Sequence, residues 1–293
     1  MLRQTAAPIA ICAVLAISAG VAAKPRAKIP DRVASPYVGA ITVDAATGKV
    51  LFEDHADDQG YPASVQKIMT LMVLLDKVSQ GAAKLDESVP VPVEAAKTGG
   101  SQVYLDPRET FPLEDLLYAI MVQSANDAAV ALAIHVAGSK DAFVELMNQK
   151  AKALGMKNTV FHSVHGLPPS EGQEPDVTTA RDLALLGREL VLKYPQALKY
   201  TSTVKRDFRE GKFVMENHDH LLTSFSGCDG LKTGYYKQAG YSIIATASRD
   251  KARVITVVLG AAKGGSNPRH PNQARDAKAA ELMTKGFSAL AAR

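Results

Sequence analysis

Apolar residues recur along this chain with two periods, and each predicts a different kind of element. From Tyr37 the alternation of Val38, Ala40 and Thr42, then the turn Ala46-Thr47-Gly48 and Val50-Leu51-Phe52, predicts a β-hairpin. Residues 68–75 are apolar on nearly every side, which is how a helix buried in the middle of a domain reads. Helical periodicity also governs 113–122, 127–136, 139–154 and 177–192, with Gly155 as a C′ residue and Thr178 or Thr179 near a cap. Between these, residues 81–112 are rich in Gly, Pro and charge and predict a loop-rich excursion with extended pieces around 88–93, while 165–169 predict a loop. The period then shortens to two. Residues 201–208, 213–215, 231–235, 241–247 and 254–259 read as strands, with Arg249-Asp250-Lys251 as a hairpin turn. Residues 272–290 close as a helix with apolar positions at Ala277, Ala280, Leu282 and Phe287.

Strands at both ends with helices between them predict an α+β layered domain, in which the first hairpin joins the last three strands in a sheet of about five. There is no internal repeat and no low-complexity segment. The start of the chain reads differently from the rest: Arg3, an apolar run over 9–19, then Val21-Ala22-Ala23 before Lys24-Pro25. That pattern predicts a secretory signal over 1–23, followed by a basic, proline-containing linker over 24–36 and one domain over 37–293. Export leaves Cys228 as the single cysteine, because Cys12 goes with the signal, so no internal disulfide is expected. It also lowers the net charge from +4 to +3, since Arg3 is the one charged residue removed. Such a balance gives no support to a nucleic-acid partner. No second stretch is apolar and long enough to span a bilayer.

Candidate chemistry sits at the head of the buried helix. In Pro62-Ala63-Ser64-Val65-Gln66-Lys67, a hydroxyl and an amine stand three residues apart, on one face of a helix and at its positive end. There Ser64 has a free backbone N–H for an oxyanion and Lys67 as a neighbouring base. The spacing alone decides nothing, since it recurs at Ser202 to Lys205 and Ser248 to Lys251. Two further pieces narrow it. Ser124-Ala125-Asn126 lies between two helices, and Lys232-Thr233-Gly234 begins a strand, where lysine attracts a carboxylate, threonine can bind it, and glycine admits a close backbone. Lys232 and Gly234 are expected on one side of the strand and Thr233 on the other. Lys97-Thr98-Gly99 repeats the triplet inside the loop-rich excursion.

In this order and spacing the three pieces resemble those of the serine β-lactamases and penicillin-binding proteins. With Gln123-Ser124-Ala125-Asn126-Asp127-Ala128, Leu154-Gly155-Met156-Lys157-Asn158-Thr159 and His165-Gly166-Leu167 around them, the chain resembles the low-molecular-mass penicillin-binding proteins, that is, the serine-type D-alanyl-D-alanine carboxypeptidases. The resemblance implies a β-lactamase/transpeptidase-like fold, an antiparallel sheet flanked by helices with a helical cluster. It implies that Ser64 attacks the bond between two D-alanines of a peptidoglycan stem peptide, with Lys67 as base and Ser124 as proton relay. Asn126 would hold the substrate amide, Lys232 and Thr233 the terminal carboxylate beside Gly234, and the N–H groups of Ser64 and Tyr235 the oxyanion. β-Lactams would acylate the same serine, and neither metal nor organic cofactor is expected. The resemblance also places the His165 loop near Lys232. Because longer relatives carry a C-terminal β domain and a membrane anchor, their absence here leads us to expect a soluble periplasmic or extracellular enzyme.

Three other readings are weighed against this one. Endopeptidase cleavage of D-alanyl cross-links uses the same residues. A β-lactamase needs a carboxylate for the deacylating water, usually in Glu-x-x-Leu-Asn, and Glu145-Leu146-Met147-Asn148 is one residue short. A non-catalytic wall-binding module would not need all the reactive residues. A metal site at His162 and His165, or at His218-Asp219-His220, lacks a matching cluster elsewhere, so His218 and His220 are expected in solvent. Cys228 is expected to be a small, buried apolar side chain.

Overall fold

Alternation along the first and last stretches builds one sheet that is covered on both faces. The computed structural model describes Met1 and residues 36–262 and 271–292. The signal (1–23) and linker (24–36), Met1 and Pro36 apart, lie outside the described residues. The chain divides into units 1–30 and 31–293, and all elements belong to the second.

The hairpin is β1 (Gly39–Asp44) and β2 (Val50–Asp54). Next come α1 (Lys67–Ser79), β3 (Ser88–Pro90), α2 (Val93–Ala96) and β4 (Thr110–Pro112). The helical cluster follows as α3 (Leu113–Tyr118), α4 (Asn126–Ala137), α5 (Lys140–Ala153), α6 (Ala180–Lys193) and α7 (Leu198–Thr201). A separate ribbon, β5 (Lys205–Phe208) and β6 (Phe213–Glu216), precedes α8 (Leu221–Ser224). Three long strands, β7 (Cys228–Tyr236), β8 (Gly240–Arg249) and β9 (Ala252–Ala261), lead to α9 (Pro271–Ala291).

The main sheet runs β2-β1-β9-β8-β7, antiparallel throughout, so the first hairpin does join the last three strands and β7 is an edge. Side chains sort by parity onto its two faces. Ala40, Ile243, Ala245, Val254 and Val258 pack with Leu282 and Met283 of α9. Their neighbours Ile41, Ile244, Ile255 and Val257 pack with α1, α4 and α6. Burial of α1 is complete from Lys67 to Asp76, as its all-round apolarity predicts. Ser139 and Thr179 cap α5 and α6 by accepting from the N–H three residues on.

Two expectations need correction. Residues 201–204 are not strand: Thr201 ends α7, where its Oγ1 donates to Asp229 O at 2.8 Å, so a tertiary contact overrides a β-branched preference. In α9, Ala277 is exposed, and Arg275 and Asp276 are buried as a mutual ion pair. Among the described residues no helix is long and apolar enough to cross a membrane.

Candidate active site

Three segments far apart in sequence meet beside the β7 edge. The first is a 3-10 turn, Ala63–Gln66, that runs straight into α1. Pro62 enters it at φ −68°, the value its ring fixes. Ala63 then adopts φ 50°, a left-handed conformation that is uncommon for a residue with a Cβ and costs about 1–3 kcal/mol. The surroundings hold it there. Gly166, itself at φ 83°, lies so close that a Cβ would stand 2.2 Å from Ala63 O. Ser64 is half-buried and faces a cavity of about 740 Å³, while Lys67, one turn on, is fully buried.

The second segment is the end of the α3 helix. Residues Ala119–Gln123 widen into a π turn, a form frequent at functional sites, and Ser124 leaves it at φ 60°. Ser124 Oγ is buried in the cavity wall and has no hydrogen-bond partner among the described residues. Asn126, expected in the connection, starts α4 one residue earlier than periodicity predicts and is buried. The third segment is β7, which brings Thr233, Gly234 and Tyr235 to the cavity. Thr233 was expected on the face opposite Gly234, but the cavity lies beyond an edge strand and is reached from either parity. Gly234 is also needed for a different close approach from the one expected. A Cβ there would meet Ser64 N and Val65 N at 2.9 Å, so the backbone it admits is the serine's own turn.

Lys67 Nζ lies 3.0 Å from Ser64 Oγ, 2.7 Å from Asn126 Oδ1 and 2.8 Å from His165 O. All three partners are uncharged. A neutral amine has two N–H donors and one lone pair. As an ammonium Lys67 donates to all three; once neutral, its N–H groups stay with the two carbonyl oxygens, which can only accept, and its lone pair is left for the Ser64 hydroxyl. Burial pushes the Lys67 ammonium well below its ordinary range and the Lys232 charge pushes it further, with Asp127 and Asp176 acting the other way. Lys232 is also buried and is lowered to about 7, by burial first, while Asp219 opposes the shift. Its Nζ donates to Thr233 O at 3.2 Å. The set can take a proton from a serine hydroxyl while a nearby cation waits for an anion.

Several partners were not foreseen. The His165 loop contacts Lys67 through a backbone carbonyl, whereas the ring Nδ1 accepts from Leu167 N at 3.2 Å. Gly99, in the copy of the triplet inside the loop-rich excursion, accepts from Asn126 Nδ2 at 2.8 Å through its carbonyl. His218 and His220 are exposed, as expected, yet they line the cavity together with Arg275 and Tyr241. Among the described residues no group of three His, Cys, Asp or Glu side chains could hold a metal ion. Cys228 is half-buried rather than buried, and burial pushes its thiol up to about 12.

Against known proteins, residues 27–263 match the peptidase S11 family, described as D-alanyl-D-alanine carboxypeptidase. The chain belongs to this family. It is 36% identical over 269 residues to the D-alanyl-D-alanine carboxypeptidase DacF of Bacillus subtilis, covering 91% of this chain and 66% of that protein. DacC of Escherichia coli, with the same description, is 39% identical over 254 residues, 84% of this chain and 60% of that protein. This S11 chain therefore spans less than two thirds of the length of either relative. A D-alanyl-D-alanine endopeptidase of Pseudomonas aeruginosa is 32% identical over 257 residues, 84% of this chain and 79% of that protein. In three dimensions the S11 fold matches penicillin-binding protein D2 of Listeria monocytogenes in its ampicillin-bound form. The TM-score is 0.76 at 32% identity, covering 87% of this chain and 99% of that one.

Proposed function

We propose that the chain is a serine DD-peptidase that removes the terminal D-alanine of peptidoglycan stem peptides through an acyl-enzyme. The observation that carries this reading is a fully buried amine, Lys67, whose Nζ lies 3.0 Å from Ser64 Oγ and is otherwise held by two uncharged carbonyl oxygens, Asn126 Oδ1 and His165 O. Burial, and then the Lys232 charge, lower its ammonium well below the ordinary lysine range, which frees the amine to act as a base. Ser64 attacks the carbonyl between the two D-alanines as its proton passes to Lys67. The unpartnered Ser124 hydroxyl carries that proton on to the leaving amine. Lys232 and Thr233 receive the terminal carboxylate, and the N–H groups of Ser64 and Tyr235 stabilise the oxyanion, worth a few kcal/mol per donor. Asn126 has both ends of its amide engaged, so its first role is to hold Lys67, ahead of any hold on substrate. Water then cleaves the ester.

The same serine reacts with β-lactams, a reading supported by the ampicillin-bound neighbour. Cross-link cleavage is the second reading, supported by a relative named as an endopeptidase of which the chain covers 79%. We assign residues 1–23 to an export signal, which puts the enzyme in the periplasm or outside the cell. Intact mass after mixing with benzylpenicillin tests the chemistry: a stable adduct on the wild type that is missing from Ser64→Ala supports it, and no adduct on folded wild type overturns it. Defined linear and cross-linked muropeptides then separate the two peptidase readings.

A further inference from the structure

Of the buried carboxylates that the mechanism leaves unused, Asp127 and Asp176 lead back to Lys67. Asp127 follows Asn126 in the first turn of α4 and accepts from Val103 N, Leu105 N and Ala128 N at 2.9–3.3 Å. It thereby staples the segment after residue 100 to the start of the helix, where Asn126 N also donates to Ser101 O at 2.8 Å. Gly99 O, at the head of that segment, holds the Asn126 amide nitrogen and so turns Oδ1 toward Lys67. Asp176 does the equivalent on the other side. Its carboxylate accepts from His162 N at 2.6 Å, Ser163 N at 2.9 Å and Ser163 Oγ at 2.7 Å. Ser163 Oγ in turn accepts from Gly166 N at 2.9 Å, which fixes the bend that aims His165 O at the amine.

Burial raises both carboxyls above their ordinary range, and the hydrogen bonds they accept act against it. At Asp127 both oxygens accept from backbone N–H groups, which cannot reverse their role, and at Asp176 two such groups hold Oδ1 and the Ser163 hydroxyl holds Oδ2. We propose that Asp127 and Asp176 are paired positioning residues: each braces one of the two carbonyl oxygens that hold the Lys67 amine, and their charges together counterbalance Lys232. This rests on the reading of Lys67 as the base. The charged and titratable groups facing Lys67 are Lys232 from β7, Asp127 from α4, Asp176 and His165 from the segment before α6, and His218 across the cavity. Asp176 additionally faces His162 and Tyr236. The His165 ring, lowered to about 3 mainly by burial, stays neutral in the working range. The two carboxylates are therefore the anions acting on the amine, and both favour its protonated form.

The test is the pH profile of acylation by benzylpenicillin, followed by intact mass over roughly pH 5 to 9, for wild type, Asp127→Asn, Asp176→Asn and Ser163→Ala. Removing either negative charge makes the ammonium less stable, so the acid limb moves to lower pH, by about one unit for each asparagine variant. Ser163→Ala keeps the charge and breaks the brace: its plateau rate falls and its limb stays where it was. A weakened scaffold alone would lower plateaus and move no limb. Melting temperatures identify variants that fold, and either asparagine variant suffices to read the shift. An acid limb that neither asparagine variant moves overturns the proposal while leaving the peptidase reading intact. A limb moved as far by Ser163→Ala as by Asp176→Asn also overturns it, because geometry alone would then set the limb. Wild type that is not acylated at any pH is a failure of the peptidase reading itself.

Discussion

The two ends of α1 treat buried charge in opposite ways. Near its end, Asp76 is 7% exposed and receives hydrogen bonds from Lys193 at 2.8 Å and from Tyr194, with Lys150 as a further ion-pair partner. Burial alone would raise its carboxyl, but these donors hold it below the usual carboxylate range. At its start, Lys67 is as deeply buried, touches no carboxylate, and has a second cation nearby. The first arrangement is what a buried charge needs in order to be tolerated, and the second withholds it. One helix thus separates a charge held by direct partners, which ties elements together, from an amine that touches no carboxylate and is the one we propose as the base.

The largest effect expected from breaking that contrast is at Lys67. Lys67→Met keeps the volume and removes the base, so acylation by benzylpenicillin falls by about 10³-fold. No carboxylate loses a direct partner, but Asn126 Oδ1 and His165 O each lose a donor, so stability falls by about 1–3 kcal/mol in chemical denaturation. An acylation rate that stayed level in folded protein would show that Lys67 is not the base. Asp76→Ala is the mirror experiment. It leaves Lys150, Lys193 and the Tyr194 hydroxyl without their shared carboxylate and, since both lysines reach solvent, costs about 1–3 kcal/mol in chemical denaturation, with the acylation rate of folded protein unchanged. The sign of its pH dependence is fixed as well. A carboxyl lowered on folding contributes stability above its unfolded value, so the gap between wild type and Asp76→Ala shrinks as pH falls through the acid range below about 4.

What could be read from the sequence in this contrast was the local part. Periodicity gives α1, alternation gives both faces of the sheet, and Ser64 and Lys67 are neighbours because a helix puts them one turn apart. Asp127 was also within reach, since a lone charge heading the apolar run Ala128-Ala129-Val130-Ala131-Leu132-Ala133 has to be buried and paired. The partners of Lys67 across the fold were not. Gly99 O and His165 O are backbone carbonyls, which carry no residue signature, and they lie 27 residues from Asn126 and 98 from Lys67. Gly234 reads from the sequence as a place for a ligand's backbone, and only the fold shows that the Ser64 turn is its close neighbour. Thr201 was misread because its helical turn is decided by Asp229, 28 residues on.

Gly234→Ala sharpens the comparison at smaller scale by disturbing the reactive end without altering any charge. The added methyl must displace the backbone of Ser64 or Val65, which would otherwise lie 2.9 Å away. Overpacking of this kind costs about 1–3 kcal/mol. Since the displaced atom is Ser64 N, acylation should fall about tenfold while the asymmetry around Lys67 stays. Denaturation and acylation measured on the same sample separate the two. A stability loss with an unchanged rate would mean that the turn moves as a rigid unit.

The smallest effect concerns the second buried lysine, and it runs the other way in pH. Lys67 has to lose its proton to act, so activity falls toward acid. Lys232 has to keep its proton to attract a carboxylate, and Asp219 partly offsets the burial that lowers it to about 7. As pH rises through that value the free enzyme loses the charge, and KM for a stem peptide ending in a carboxylate should climb a few-fold, while the Thr233 hydroxyl remains to bind it. A peptide ending in an amide has no charge to lose contact with, so its KM should stay flat over the same range. If both substrates weaken together, the alkaline limb belongs to another group. If neither does, Lys232 holds its proton throughout, and Asp219, 3% exposed beneath it, offsets the burial in full.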